Sequence, residues 1–272
     1  MKLAFADREL HYADPLFAAV PMDTLLSDQY TASRHALVDP RAASLELRPG
    51  MAGGRASIPP FPARDIRDVE AASRRAGTGD TTKLEVIDSA GNMVSAATSG
   101  GWLATSPVIP GLGFCLGTRA QMFCLEPSHP NCLAPGKRPR TTLTPSLATR
   151  AGAPYLSFGS PGGDLQDQWA LQFFLNVVEF GMSLQEAVEA PTFSTMHMPS
   201  SFHPRVAEPG SLFLESRIPL EVQRALEALG HRVTRAEAWS GGNTLAAGLD
   251  PATGVRSAAA SPRLEPAYAA AY

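Results

Sequence analysis

Long apolar runs are missing: nothing in the 272 residues approaches the ~20 consecutive apolar positions that cross a bilayer. A basic excess is missing too. With 23 Lys and Arg against 26 Asp and Glu the net charge is -3, which offers nucleic acid no electrostatic footprint. The single dense basic run is Lys137-Arg138-Pro139-Arg140. Cysteine is scarce, and Cys115, Cys124 and Cys132 match no zinc-ligand spacing; free thiols or one disulfide among them are both open. His129, His197 and His203 likewise lack metal-ligand spacing and read as loop residues, so neither metal nor cofactor is expected. Trp102, Trp169 and Trp239 read as packing anchors. The opening Met1-Lys2-Leu3-Ala4-Phe5-Ala6-Asp7-Arg8 puts charges where an export signal has its apolar region. A cytoplasmic chain without a membrane partner is expected as written, with a periplasmic or secreted location open for a longer form.

What is present falls into two parts. Residues 1–47 read as helical and polar-amphipathic: Leu3, Ala6 and Leu10 recur at helical spacing until Asp14-Pro15, and Ser27 caps a second helix ending before Asp39-Pro40. From Arg48 to Asp80, Gly53-Gly54, Pro59-Pro60 and Gly77-Thr78-Gly79 punctuate a stretch poor in large apolar residues, read as an exposed, mobile connection. Beyond it three β-hairpins are expected. The first turns at Asp88-Ser89-Ala90-Gly91-Asn92, the second joins 143–149 to 155–158, and the third joins 244–249 to 255–259. Helices are expected over 165–180, from the Ser183-Leu184-Gln185-Glu186 capping box to Pro191, and from Pro219 to Gly230. Hairpins with separate helices point to an α+β fold rather than a parallel βαβ series.

Three features carry chemistry. Thr81-Thr82 stands where the loose stretch meets a well-patterned strand. A threonine hydroxyl needs a base, and cleavage between Asp80 and Thr81 would supply one in the residue's own α-amine, of pKa about 7.7–8.0. The bland alternative is a Thr pair opening a strand, which Thr favours. Gly159-Ser160-Pro161-Gly162-Gly163-Asp164 lies between a strand and a helix, and its backbone N–H groups can converge on an oxyanion; an ordinary turn is the alternative. Lys137-Arg138-Pro139-Arg140-Thr141-Thr142 combines hydroxyls with cations, suited to a carboxylate, or forms a solvated basic turn.

In this order the three resemble the γ-glutamyltransferase family. The likeness rests on Thr81-Thr82, on Val86-Ile87-Asp88-Ser89-Ala90-Gly91-Asn92, on Lys137-Arg138-Pro139 with Thr141-Thr142 and Thr144-Pro145, and on Gly159-Ser160-Pro161-Gly162-Gly163. Phe5-Ala6-Asp7-Arg8 and Asp14-Pro15 look like the end of the family's large subunit. The resemblance implies a four-layer αββα N-terminal-nucleophile fold, N-terminally incomplete, with 1–80 closing the large-subunit region and 81–272 forming the small catalytic subunit. It implies autocatalytic cleavage between Asp80 and Thr81, followed by attack of Thr81 on a γ-glutamyl amide such as glutathione. Water or an amino-acid acceptor would release the acyl group. Gly162 and Gly163 would hold the oxyanion, Ser99 would support the nucleophile, and Thr141 and Thr142 would replace paired serines near the donor.

Departures qualify the substrate. Where the family carries a carboxylate for the donor's α-amine, this chain has Gly117-Thr118-Arg119-Ala120-Gln121-Met122-Phe123. An arginine there favours an anion, and residues 123–135 are shorter than the family's lid. Both features resemble the lidless bacterial branch and its cephalosporin-acylase neighbours, so glutaryl-type amides are the alternative substrates, with Arg119 binding them. The missing large-subunit region is expected as a partner chain; without it the alternative is a catalytically silent fragment.

Overall fold

The computed structural model describes residues 1–52, 81–101, 106–263 and 267–271. A two-stranded sheet, β1 (Thr82–Ile87) with β2 (Met93–Thr98), lies against a four-stranded antiparallel sheet. The larger sheet has the order β3 (Ser146–Arg150), β4 (Ala153–Gly159), β8 (Leu245–Leu249), β9 (Arg256–Ala260). Alternation along β4 builds the layers. Leu156 and Phe158 point to one face, where Ala170 and Phe173 of α4 (Gln166–Val178) and Ala187 and Val188 of α5 (Leu184–Glu189) complete the core. Ser157 points to the opposite face, where its hydroxyl lies 2.5 Å from Glu85 Oε2 and 2.9 Å from Val94 O of the hairpin. The interface between the sheets is therefore polar, and the helix-covered face carries the apolar core.

Turn chemistry fixes the registers of the first two hairpins. Asp88 Oδ1 accepts the N–H groups of Ala90 and Asn92, and Gly91 takes φ 82°. The β3–β4 turn is Ala151-Gly152, at φ 50° and 80°, the mirror-image turn that suits strand twist. β3 starts at Ser146 rather than 143, because Pro145 has no N–H to give a ladder. The remaining helices agree with their signals. Ser183 and Glu186 form the capping box, Gly181 closes α4 at φ 68°, and Pro219 caps α6 (Leu220–Ala228) instead of lying within it.

One element was not expected. β5 (Phe193–Ser194), β6 (Ser211–Glu215) and β7 (Arg232–Ala236) form a third sheet, and β6 and β7 run parallel, joined through α6. The α+β class stands, yet it contains one βαβ crossover of the kind the hairpin pattern argued against.

The start of the chain also departs from a polar-amphipathic helix. In α1 (Lys2–His11), Asp7, Arg8, Glu9 and His11 are as buried as Phe5, Ala6 and Leu10. Arg8 pairs with Asp164 at 2.6 Å, Glu9 with Arg140 at 3.0 Å and with Arg205, and His129 Nε2 lies 3.0 Å from Glu9. After α2 (Met22–Leu25) and α3 (Asp28–His35), whose Ser27 cap accepts the Tyr30 N–H, the connection is pinned at its first residues. Gly50 donates to Asp7 Oδ1 at 2.6 Å, and its carbonyl lies 2.9 Å from His11 Nε2. Residues 53–80 of the expected connection, and Trp102, lie outside the described residues. All three cysteines are free thiols.

Candidate active site

Thr81 immediately precedes β1, and the register that pairs Thr82 with Thr98 sets it opposite Ser99. Its Oγ1 donates to Ser99 Oγ at 2.9 Å. Asp80, the other side of the expected cleavage point, lies outside the described residues. Thr81, Lys83 and Glu85 share the inward face of β1, whereas the apolar Leu84 and Val86 point outward, the reverse of what a period-of-two pattern suggests.

The Gly159-to-Gly163 loop leaves the same end of the four-stranded sheet. Gly162 has φ 131°, and a Cβ there would lie 2.5 Å from Cζ3 of Trp169, so neither backbone nor space admits a side chain. Trp169 thus anchors the loop from beneath. Gly162 N–H has no partner among the described residues. Gly163 differs from the expectation of two free donors. The fully buried Gln166 amide, oriented to suit its neighbours, accepts the Gly163 N–H at 3.2 Å and donates to Ser160 O at 2.8 Å. One N–H, that of Gly162, is left to meet developing negative charge. No hydrogen bond joins Thr81 to Gly162 or Gly163 among the described residues; the two segments meet where Lys83 lies against Gly159.

Arg119 begins a 3-10 turn, Arg119–Met122. Its Nε lies 2.7 Å from where a Cβ on Gly100 would stand, and Gly100 follows Ser99. Its guanidinium sits 5.7 Å from the ring centroid of Phe202, and Phe202 Cε2 is 3.2 Å from the Cβ position of Gly163. Arg119 therefore lies between Gly100, the neighbour of Ser99, and Phe202, which packs against the glycine loop.

Thr141 and Thr142 fare differently. The exposed Thr141 accepts the Leu143 N–H at 3.0 Å, whereas Thr142 is 2% exposed and its Oγ1 has no partner among the described residues. No hydrogen bond connects either to Thr81. Both follow Arg140, which ties them to α1 through Glu9. Burial alone would raise the Glu9 carboxyl, but Arg140, the hydrogen bond from His129 and Arg205 together hold it well below the usual carboxylate range. Asp164, next to Gly163, accepts from Ser201 N–H at 2.7 Å and from Arg8. This buried network carries the loop and was invisible in sequence, since its members lie far apart along the chain. Among the described residues no cluster of His, Cys, Asp or Glu suits a metal ion, and no helix is long and apolar enough to cross a membrane.

The sequence profile of the family described as Gamma-glutamyltranspeptidase matches residues 1–271. The chain belongs to this family. It is 34% identical over 243 residues to the acylase ACY 1 proenzyme of Pseudomonas sp. (strain SE83), covering 89% of this chain and 37% of that one. It is 29% identical over 214 residues to the glutathione hydrolase proenzyme of Pseudomonas sp. (strain A14), covering 74% of this chain and 33% of the relative. Among solved structures, a variant of LmbA2991 superposes with TM-score 0.87 at 48% identity, over 100% of this chain and 47% of that one. The chain thus spans about a third of the length of the two curated relatives and just under half of the solved chain, and its α+β architecture is that of the N-terminal-nucleophile fold.

Proposed function

We propose that the chain carries the catalytic region of an N-terminal-nucleophile amidohydrolase that hydrolyses or transfers γ-glutamyl amides such as glutathione. The observation that carries this reading is the 2.9 Å hydrogen bond from Thr81 Oγ1 to Ser99 Oγ at the very start of β1. Cleavage of the bond between Asp80 and Thr81 frees an α-amine within reach of the same residue's hydroxyl. The amine takes the hydroxyl proton as Oγ1 attacks the amide carbonyl, and the carbonyl oxygen becomes an oxyanion facing the Gly162 N–H. Collapse of this intermediate breaks the C–N bond, and the leaving amine takes the proton. Water or an amino-acid amine then attacks the threonyl ester and restores Thr81. Thr142, with a buried hydroxyl that lacks a partner among the described residues, is suited to a substrate carboxylate. The family's large-subunit region is the proposed partner.

A second reading has its own observation. Arg119 lies between Gly100 and Phe202, beside the glycine loop, where a cation suits the far carboxylate of a glutaryl-type side chain better than an ammonium group. The relative named an acylase supports it.

Intact-mass measurement and N-terminal sequencing test the first step: a new terminus at Thr81 is expected, and Thr81→Ala is expected to abolish it. Hydrolysis of γ-glutamyl and glutaryl p-nitroanilides separates the two substrates. A protein that cleaves neither when joined to the proposed large-subunit region, or cleaves them undiminished after Thr81→Ala, contradicts the threonyl mechanism.

A further inference from the structure

Beyond Thr81, the next two inward-facing residues of β1 are both charged. The side chains of Lys83 and Glu85 are 1% and 2% exposed and pair at 2.7 Å between the two sheets. A buried pair of this kind gains little over apolar residues of equal volume, because desolvation offsets the attraction. Stability therefore does not account for it. Its surroundings do.

The Lys83 ammonium donates to Ser95 Oγ on β2 at 3.0 Å, and Ser95 Oγ also accepts the Ser146 N–H at the start of β3. The second oxygen of Glu85 takes the hydroxyl of Ser157 on β4. The tip of Lys83 then lies over Gly159, where a Cβ would stand 2.6 Å from both Cε and Nζ. Gly159 is thus needed for its small size, so that the lysine can reach the last residue of β4. From that residue departs the loop that bears Gly162.

We propose that Lys83 is a positioning residue for acyl transfer: a strut setting the distance between the strand that begins at Thr81 and the loop that begins at Gly159. This rests on the threonyl reading above. The nucleophile and the oxyanion donor stand on different elements, and no hydrogen bond joins them directly among the described residues. Their separation is transmitted through the contact between the hairpin and β4, of which Lys83 forms the end nearest the reaction centre. A misplacement of ~1 Å between reacting groups costs about 10²-fold in rate.

The test is the double variant Lys83→Met/Glu85→Met, which removes both charges, keeps their volume and leaves no lone buried ion. Hydrogen exchange followed by mass spectrometry is expected to show the amides of Gly159 and Gly163 exchanging about tenfold faster while α4 is unchanged. Turnover of the better anilide is expected to fall between about tenfold and 10²-fold with KM within about threefold. Unchanged exchange in the loop, or unchanged kcat in an active protein, overturns the proposal. If the parent protein, joined to the proposed large-subunit region, turns over neither anilide, the threonyl reading fails and the exchange measurement alone decides the strut. If the double variant does not fold, Lys83→Arg keeps the charge but sets a wider head against Gly159, and the same two readouts apply.

Discussion

The hydroxyl pair of Thr81 and Ser99 is the smallest unit on which the chemistry turns. A neutral hydrogen bond contributes about 1 kcal/mol net, which corresponds to roughly fivefold to tenfold in rate where it orients a nucleophile. Ser99→Ala is accordingly expected to lower kcat by about tenfold and leave KM within about twofold, as steady-state kinetics on the anilides would read. An unchanged kcat would mean that the pair does not orient the attacking oxygen. Glycine at 162 makes a second, separate demand. A side chain there meets the Trp169 ring at 2.5 Å and an unfavourable φ of 131° together. Gly162→Ala is expected to destabilise the protein by about 1–3 kcal/mol in thermal unfolding. Gly101→Ala, with nothing within 4 Å of its Cβ position, is expected to leave stability unchanged.

Legibility at the level of elements followed the range of the interaction. Caps and turns act over a few residues, so Ser27, Ser183 with Glu186 and the Asp88-to-Asn92 turn are readable in the chain itself. β6 is not, because it is a short strand buried on both sides and lacks the polar alternation of a half-exposed one. The polar face of α1 misleads for another reason: Arg8 and Glu9 look like solvated residues until Asp164, Arg140 and Arg205 arrive from distant parts of the chain. That network makes a pH prediction. The folded Glu9 carboxyl is held below its unfolded value, so its contribution is complete above roughly pH 4.5 and is lost as pH falls toward the folded value. Glu9→Gln is expected to cost about 3 kcal/mol at neutral pH by removing the buried carboxylate that pairs with Arg140 and Arg205. Calorimetry from pH 7 to pH 3 should then show a shallower acid decline in the variant than in the parent. Parallel curves would place the acid sensitivity elsewhere.

At the scale of the molecule, the two-stranded sheet is the least covered layer among the described residues. Its inner face is closed by β4 and β8, but its outer face shows Leu84, Val86 and Val94 at 56%, 41% and 51% exposure, and both outer edges are unpaired among the described residues. An apolar strip bordered by open edges invites pairing with another chain. The relatives compared above extend well beyond the span matched by this chain, and the proposed large-subunit partner is the natural cover for that strip. Val86 and Val94 are direct cross-strand neighbours, so Val86→Glu with Val94→Lys replaces an apolar pair by an opposite-charge pair that the hairpin tolerates. Sedimentation velocity on the chain alone is expected to show concentration-dependent association that this double substitution removes. Co-expression with a large-subunit region is expected to suppress association in the parent and to bind the double variant less tightly. A parent chain that stays monomeric at tens of micromolar would show the strip to be a tolerated surface, and the site would then have to assemble without a covering layer.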